Sequence, residues 1–328
     1  MPRLRRVDPT MPGIRRRRCG RGFVYTDADG ARVTDPETLD RIRALVLPPA
    51  WEDVWICPWP HGHIQAVGTD AKGRRQYRYH DAWRLRRDQE KFDHMLAFAR
   101  ALPRLRRTCA RHLALEGLPR ERVLACAVRL LDLGFFRIGT EDYAEENGTY
   151  GLATMRKEHV TVGPDDLVTF DYPAKAGKQR FQRIVDPDVA DVVRALKRRR
   201  GGSPELLAWR SEDGTWCDVR SADVNAYVKE CTGGEFTAKD FRTWSATVLA
   251  AVALAVSVEA PRTPTGRKRA VARAVQEVAR YLGNTPAVCR TSYIDPRVVD
   301  RFRAGATVAG ALQRSPEAVE RAVVDLLA

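Results

Sequence analysis

The sequence predicts an α+β fold, with a small β-rich amino-terminal part and a larger, mainly helical part that carries a β-hairpin insert. Residues 21–80 hold short β-rich runs separated by turn signals. From about residue 82 apolar side chains recur at helical spacing, and a strand-rich stretch at 151–185 interrupts the helices. A length of 328 residues suits two domains.

The amino-terminal elements are predicted in order from turn and breaker residues. The run GFVYTDADGARVT predicts a β-hairpin that turns at Asp29-Gly30. A short helix follows in DPETLDRIRALVLPPAW and ends at Pro48-Pro49. The segments DVWICPWP and GHIQAVGTDAKGRRQYRYH predict strands, and the second of them contains a tight turn at 70–73.

Residues 1–20, MPRLRRVDPTMPGIRRRRCG, are basic and lack the apolar segment of a secretory signal. They predict a flexible arm that touches phosphate or a disordered tail, and both interpretations stay open. The predicted organisation is a basic flexible arm at 1–20, a β-rich domain at 21–85 and a mainly helical domain at 86–328.

For two helical runs in the second part, the sequence indicates whether the side chains are solvated or buried. In VVRALKRRRGG a helix ends with cations in its last turn and glycine just after them. We interpret the run at 197–200 as a solvated helix end, with weak phosphate contact as the alternative. The apolar run at 244–258 is shorter than the roughly 20 residues of a membrane span, so it predicts a buried helix.

Charge and composition limit the class of partner. Lysine and arginine total 56 against 42 acidic residues, and the net charge of +14 favours a polyanion, nucleic acid before membrane. Seven cysteines are scattered without a C-x-x-C pair, so we expect a reduced, cytoplasmic protein without disulfides or a zinc site. No G-x-x-x-x-G-K-[ST] loop or H-E-x-x-H motif occurs, and we expect no metal and no cofactor.

Four separate segments supply side chains suited to one reaction. They are RIGTEDYAEEN at 137–147, YPAKAGKQR at 172–180, AKDFRTW at 238–244 and YLGNTPAVCRTSYIDP at 281–296. In the last segment Thr285-Pro286 predicts the start of a short helix that ends near Tyr293. On its own Tyr293 would be interpreted as a core residue. Together the segments supply two arginines, a lysine on a predicted hairpin, an amide and a tyrosine.

This combination suits a phosphodiester attacked by a tyrosine phenol. Arginine holds two non-bridging oxygens with its planar fork, while an amide adds a hydrogen-bond donor without charge. A lysine whose pKa of about 10.4 is lowered by cationic neighbours can protonate the departing 5′-oxygen. The phenol, with a pKa of about 10, serves as nucleophile and later as leaving group, so religation needs no nucleotide.

In the order and spacing of these segments the chain resembles the type IB DNA topoisomerases, specifically their small poxvirus and bacterial branch, over roughly residues 20–310. The segment LPPAWEDVWICPWPHGHIQAVGTDAKGRRQYRYH resembles the β-rich DNA-clamp domain of that branch. The resemblance implies relaxation of supercoiled duplex DNA through a 3′-phosphotyrosyl intermediate, without ATP or metal. It also implies a cytoplasmic, nucleoid-associated monomer that closes as a clamp around duplex DNA and binds no membrane.

The resemblance assigns roles to individual residues. Arg137 of RIG and Arg242 of KDFR match the two phosphate-binding arginines, and Tyr293 of CRTSY matches the nucleophile. Lys175 of AKAGK matches the general acid on the hairpin, and Lys178 is the alternative.

Two further positions complete the implied site. Lys239 resembles a lysine that assists proton transfer to the leaving group. Asn284 of GNTP stands where many members of the family have histidine. Because an amide can still donate a hydrogen bond to a non-bridging oxygen, we expect this difference to lower the rate only modestly.

By the same resemblance a second set of residues contacts DNA: Arg74, Arg75, Gln76, Tyr77, Tyr79 and Tyr143. The amide and the two tyrosines that follow it resemble the strand that reads the major groove. Tyr79 can equally be a core residue. The two arginines hold phosphate rather than read sequence, and Tyr143 resembles a phosphate-contacting tyrosine.

Two other functions compete with this one. A tyrosine recombinase would share the fold and chemistry of the helical domain, but that family usually carries His-x-x-Arg where this chain reads Lys239-Asp-Phe-Arg242. Recombinases also usually have a helical amino-terminal domain. A catalytically inactive DNA-binding protein is disfavoured because the arginines, lysine and tyrosine are all present.

Overall fold

The computed structural model describes residues 3–140, 144, 146–257 and 263–328. The chain divides into two compact units, residues 1–93 and residues 94–328. Tyr143 lies outside the described residues.

The first unit is built on a five-stranded antiparallel sheet with the strand order β2-β1-β3-β4-β5. Its strands are β1 Ile14–Cys19, β2 Gly22–Thr26, β3 Glu52–Ile56, β4 Ile64–Thr69 and β5 Arg75–Tyr79. Helix α1, Pro36–Ala44, begins after Asp35, whose carboxylate accepts the Thr38 amide. A tight turn joins β4 to β5, as the sequence predicts.

The sheet buries apolar side chains on both faces, because successive residues along a strand point to opposite sides. One buried cluster contains Val7, Trp55, Cys57, Ile64 and Val67. The other contains Ile14, Ile42, Val54, Ile56 and Ala66. Strands β3 and β4 contribute to both clusters, whereas α1 supplies Ile42 to the second.

The prediction of a flexible arm over residues 1–20 is wrong for the part that forms β1. Ile14 is only 5% exposed and pairs with Ile56 of β3. Val7 is also buried. The segment IRRRRC lacks the alternation of apolar and polar residues that marks a strand, and its partner β3 lies far along the chain.

The hairpin predicted at Asp29-Gly30 is also displaced. Strand β2 pairs along its whole length with β1, and the connecting turn contains Gly20 with a φ of 55°. Asp29-Gly30 closes only an isolated bridge between Thr26 and Arg32. The two pairings coexist, because Thr26 pairs with Arg15 of β1 and also with Arg32.

Helix α2, Asp81–Leu113, begins in the first unit and ends in the second. The other helices of the described second unit are α3 Arg120–Gly134, α4 Pro187–Arg198, α5 Ser221–Thr232, α6 Ala238–Val256, α7 Pro264–Leu282, α8 Pro286–Ser292, α9 Pro296–Arg303 and α10 Pro316–Leu327. One antiparallel sheet contains β6 Val160–Val162, β7 Leu167–Ala174 and β8 Lys178–Val185. Strands β9 Ala208–Arg210 and β10 Trp216–Asp218 form another.

The predicted β-hairpin insert is formed by β7 and β8. The two strands pair from Leu167–Val185 to Ala174–Lys178 without a register shift. Ala176 and Gly177 close the turn with φ values of 67° and 69°. Lys175 is the first residue of that turn, so the hairpin presents it at its tip.

The apolar run at 244–258 lies largely in helix α6, which is buried as predicted. The Asp240 carboxylate accepts the Thr237 amide at 2.8 Å and caps the start of the helix. Among the described residues no helix is long and apolar enough to cross a membrane.

The interpretation of 197–200 as a solvated helix end is wrong for two of its side chains. Lys197 donates to the carbonyl oxygen of Lys157 at 2.7 Å. Arg199 is 8% exposed and donates to the carbonyl oxygen of Ser203 at 3.1 Å. Lys197 is half-buried and Arg199 is buried, and backbone carbonyl oxygens accept hydrogen bonds from both, which charge patterning alone does not indicate.

Candidate active site

Arg137 lies on an extended segment that leaves helix α3. Phe135 takes a left-handed φ of 55° at the end of the helix. Phe136 is buried against Phe170, with ring centroids 4.9 Å apart. The carbonyl oxygen of Arg137 accepts the Leu152 amide at 2.8 Å. The backbone that carries this guanidinium is therefore fixed on both sides.

A close approach between two segments explains the glycine of the RIG motif. Gly139 has a φ of 78°, and a Cβ atom there would lie 2.8 Å from the Gly151 Cα. The Ala153 amide donates to the carbonyl oxygen of Ile138 at 2.7 Å. The motif is thus packed directly against the stretch that leads to the hairpin sheet.

Arg242 stands in the second turn of α6 and is buried, with 5% of its surface exposed. Its Nη2 donates to the carbonyl oxygen of Leu282 at 2.9 Å and its Nη1 to that of Phe135. Burial lowers the pKa of Arg242 to about 10, and the charge of Arg137 contributes to this shift. The Nε atom has no acceptor among the described residues. A buried cation with an unused donor is suited to hold an anion.

Asn284 lies in the turn between α7 and α8. Gly283 ends α7 with a φ of 64°, and the Thr285 hydroxyl caps α8 by accepting the Val288 amide at 3.3 Å. Asn284 Oδ1 accepts a hydrogen bond from Arg137 Nη2. Its Nδ2 is buried and has no acceptor in the described part of the chain. The amide therefore offers a free donor beside the Arg137 guanidinium.

Tyr293 follows α8 directly and is half-buried. The Arg242 Cζ lies 5.5 Å from the centroid of its ring. Burial opposes ionisation of the phenol, but the charges of Arg242 and Arg137 and their hydrogen bonds to it outweigh burial, so the pKa of Tyr293 is lowered. The phenol is thus activated by the same two cations that can hold a phosphate.

A pocket of about 290 Å³ brings these residues together. Its lining residues are Arg137, Ile138, Gly139, Thr140, Thr149, Tyr150, Lys175, Ala238, Lys239, Arg242 and Tyr293. Asn284 adjoins the pocket through its hydrogen bond to Arg137. The six predicted catalytic residues thus converge on one place from four separate segments. Within the described chain no group of His, Cys, Asp or Glu side chains is placed to hold a metal ion.

The two candidate hairpin lysines differ in position. Lys175 lines the pocket, as does Lys239 from the first turn of α6. Lys178 begins strand β8 on the exposed side of the hairpin and is absent from the pocket lining. This placement supports Lys175 as the acid. Both pocket lysines are exposed and can reach a bound substrate.

The predicted DNA-contact residues of the first unit lie on and beside the edge strand β5. Tyr77 is 43% exposed and stacks on Tyr79 with centroids 6.0 Å apart. Tyr79 also packs on the buried cluster of Val7 and Trp55, so it has a core role. The Cζ of Arg75 lies 5.9 Å from the Tyr77 ring centroid.

Gln76 points to the opposite face of β5 from these tyrosines, because side chains alternate along a strand. Its Nε2 donates to Asp70 Oδ2 at 2.9 Å, and Arg74 Nη2 donates to the same oxygen at 2.7 Å. The hydrogen bonds from Arg74 lower the pKa of Asp70 to about 2. Gln76 and Arg74 are therefore held together by one carboxylate, apart from the tyrosine pair.

Some residues of the site were not predicted. Thr149 and Tyr150 line the pocket, and the Tyr150 amide donates to the carbonyl oxygen of Pro173 in β7 at 2.8 Å. Thr247 hydrogen-bonds to the backbone of Tyr293. Arg180 stands within the quoted hairpin segment but bonds to the end of α7. Only the turn signal Asn147-Gly148 before Thr149 marks any of them in the sequence.

Comparison with known proteins agrees with this geometry. The family profile described as "Eukaryotic DNA topoisomerase I, catalytic core" matches residues 80–307, and that described as "Bacterial DNA topoisomerase IB, N-terminal domain" matches residues 22–70. The chain is 33% identical to DNA topoisomerase 1B of Acanthamoeba polyphaga mimivirus over 87% of this chain and 85% of the relative. It is 21% identical to DNA topoisomerase 1B of vaccinia virus (strain Copenhagen) over 72% of each.

Proposed function

We propose that this chain, which belongs to the type IB DNA topoisomerase family, relaxes supercoiled duplex DNA by breaking and resealing one strand through Tyr293. The observation that carries the mechanism is the pairing of the Tyr293 phenol with two arginines around one pocket. The arginines lower the pKa of the phenol and also offer donors to a phosphate. Nucleophile and phosphate would therefore be held by the same charges.

In the proposed step, the Tyr293 Oη attacks the phosphorus of a backbone phosphodiester. The bond from Oη to phosphorus forms as the bond from phosphorus to the 5′-oxygen breaks, and the phenol proton passes to solvent. The product is a 3′-phosphotyrosyl bond and a free 5′-hydroxyl. Rotation of the free end relaxes the DNA, and the 5′-hydroxyl then attacks the phosphotyrosine to restore the strand.

Charge on the non-bridging oxygens would be met by Arg137, Arg242 and Asn284. Of these three residues, Arg242 and Asn284 each keep a buried donor, Nε and Nδ2, that has no acceptor among the described residues. Because their positions are fixed before substrate binds, they need little reorganisation in the transition state. The hydrogen bond from Arg137 to Asn284 Oδ1 orients the amide so that its NH₂ group faces away from the guanidinium.

The 5′-oxygen is a poor leaving group and needs a proton. We assign Lys175 as the general acid, because it enters the pocket from the tip of the hairpin. Lys239 enters from α6 and assists the transfer.

We further propose that residues 21–85 form a DNA-clamp domain and residues 86–328 the catalytic domain of a monomer that closes around duplex DNA at the nucleoid. The matches of the two family profiles to separate parts of the chain support this division. Arg74, Arg75, Gln76, Tyr77 and Tyr79 would contact the duplex from the first domain, and Tyr143 from the second.

The recombinase alternative is not favoured. Both matched profiles and the similar relatives are topoisomerases. In addition, Lys239 occupies the place three residues before Arg242 where a recombinase usually has histidine.

The test is relaxation of supercoiled plasmid in EDTA without ATP by the wild-type chain and by Tyr293→Phe. The wild type should relax positive and negative supercoils, and denaturation during the reaction should trap a covalent protein–DNA adduct. Tyr293→Phe should bind DNA but form no adduct. If the wild type is inactive, or if the variant still relaxes DNA, the assignment of the nucleophile is wrong.

A further inference from the structure

Arg180 makes contacts that neither DNA binding nor the folding of its own hairpin requires. From strand β8 its Nη1 donates to the carbonyl oxygen of Arg280 at 3.4 Å and its Nη2 to that of Tyr281. These carbonyls belong to the last turn of α7, where the helix dipole is negative, and the Arg280 carbonyl also accepts the Gly283 amide at 3.3 Å. A guanidinium suits this position because its fork spans two neighbouring oxygens.

The same turn is held by two other arginines from other elements. Arg242 of α6 donates to the carbonyl oxygen of Leu282, and Arg137 donates to Asn284 Oδ1. Three cations therefore bind successive acceptors between residues 280 and 284. Of these, Arg180 alone comes from the element that carries Lys175.

Arg180 lies close to the tip of the hairpin. It pairs with Tyr172 across the two strands, whereas residues 175–179 are exposed. Gln179 hydrogen-bonds within the hairpin, to Asp171. Within the described residues, Arg180 is therefore the residue nearest the hairpin tip whose side chain hydrogen-bonds to another element.

The end of α7 is shaped to receive this guanidinium. Gly283 has a φ of 64°, and a Cβ atom there would come within 3.2 Å of Arg180 Nη1. Burial lowers the pKa of Arg180, and the charge of Arg137 adds to this effect. The helix carbonyls offset the cost of placing one cation close to another.

We propose that Arg180 is a positioning residue, whose hydrogen bonds to the end of α7 dock the hairpin so that Lys175 reaches the 5′-oxygen of the bound phosphate. The inference rests on the proposed function, in which Lys175 gives its proton to that oxygen as the bond from phosphorus to oxygen breaks. Arg180 then acts through Lys175 and does not itself contact the phosphate.

The test changes the leaving group. Two nicked duplexes, each losing a short strand on cleavage, differ only in whether the leaving atom is the natural 5′-oxygen or a bridging 5′-sulfur. A thiolate leaves without needing a proton, so the sulfur substrate bypasses the general acid. Arg180→Gln should slow single-turnover cleavage of the oxygen substrate about 10- to 100-fold and that of the sulfur substrate less than about threefold.

Arg183→Gln is the matched control. It removes one positive charge from the same strand, and the exposed Arg183 guanidinium packs on the exposed Phe181, 5.0 Å from the ring centroid. This variant should cleave both substrates at the wild-type rate. The double variant Lys175→Ala/Arg180→Gln should be no slower on the oxygen substrate than Lys175→Ala alone, because both changes remove the same proton transfer.

Three outcomes would overturn the inference: an equal defect on both substrates, no defect on the oxygen substrate, or additive losses in the double variant. If the wild type forms no covalent adduct with either substrate, the proposed function itself fails. Thermal unfolding shows whether Arg180→Gln is folded. If it is not, Arg180→Lys carries the same comparison, since it keeps the charge but loses the fork that spans two carbonyls.

Discussion

In the proposed mechanism, the same two arginines act on Tyr293 and on the phosphate that it attacks. Burial alone would raise the pKa of the phenol, yet the charges of Arg242 and Arg137 lower it. Because the phenolate is the attacking form, the cleavage rate should rise with pH and level off below the pKa of about 10 that is usual for tyrosine. The arginines thus bring the nucleophile closer to its reactive form at neutral pH.

Arg137→Gln should shift the pH profile of DNA cleavage to higher pH. Removing one cation raises the pKa of Tyr293, so the midpoint of the rise in single-turnover cleavage rate should move to higher pH. This shift is expected even if the maximal rate also falls. NMR titration of isotope-labelled tyrosine measures the same shift without turnover. Arg183→Gln, on the exposed part of the hairpin, should leave the midpoint in place. A midpoint unchanged by Arg137→Gln would contradict the account.

Substitutions of Asn284 test whether its free amide donor acts on the phosphate. Its Nδ2 lacks an acceptor in the described structure, and Oδ1 is bonded to Arg137. Asn284→Ala should slow cleavage about 10- to 100-fold, because one oriented donor is lost from the transition state. Asn284→His should cleave at least as fast as the wild type, since its ring also donates and can carry charge.

The isosteric change Asn284→Asp supplies the control for shape. It keeps the volume but replaces the donor with a negative oxygen, so it should be slower than Asn284→Ala in the same single-turnover assay. Cleavage by Asn284→Asp at the wild-type rate would show that the Nδ2 donor is not used.

Among the elements, α6 carries Arg242, the proposed phosphate ligand, and also contacts the backbone of Tyr293, the proposed nucleophile. Arg242 and Thr247 stand five residues apart on this one helix. The Thr247 hydroxyl is fully buried and shares its proton between the carbonyl oxygens of Thr243 at 3.0 Å and Tyr293 at 3.2 Å. It also accepts the Asp295 amide at 3.2 Å. The helix therefore fixes the backbone at the nucleophile as well as the guanidinium beside it.

Thr247→Val should accordingly weaken both stability and cleavage. It keeps the shape but leaves the Asp295 amide buried without a partner, at a cost of about 1–3 kcal/mol in the free energy of unfolding. Displacement of Tyr293 should slow single-turnover cleavage about 10-fold. Thr247→Ser restores the hydroxyl and should recover the rate. Urea unfolding and cleavage assays measure both effects, and a destabilised Thr247→Val with the wild-type rate would rule out the positioning role.

Local signals in the sequence predict the elements of the site well. Thr285-Pro286 predicts the start of α8, and the hairpin that presents Lys175 follows from its strand and turn residues. By contrast, the pairing of β1 with β3 and the contacts of Arg180 depend on residues distant in the chain, and no local pattern encodes those partners. Thr247 was missed for the same reason, because a threonine within an apolar helix gives no sign of what it bonds to.

For the whole molecule, net charge was a sound guide to the partner, whereas the limits of the units were harder to predict. The structure divides the chain after residue 93, within helix α2, Asp81–Leu113. Helical periodicity continues across such a division and cannot mark it. The excess of 56 basic over 42 acidic residues indicates a polyanion without specifying which residues meet it.

The excess of positive charge predicts that DNA affinity depends more steeply on salt than the single-turnover cleavage rate does. If six or more phosphates are contacted, DNA affinity should fall about 1,000-fold or more between roughly 50 and 200 mM salt. Affinity is best measured with Tyr293→Phe, which cannot cleave. The single-turnover cleavage rate of saturated wild type should change less than about threefold, because partly buried charges such as Arg242 are screened little. Binding that is insensitive to salt would exclude an interface made mainly with phosphates. A cleavage rate that falls in parallel with affinity would contradict the shielding of Arg242 from bulk solvent.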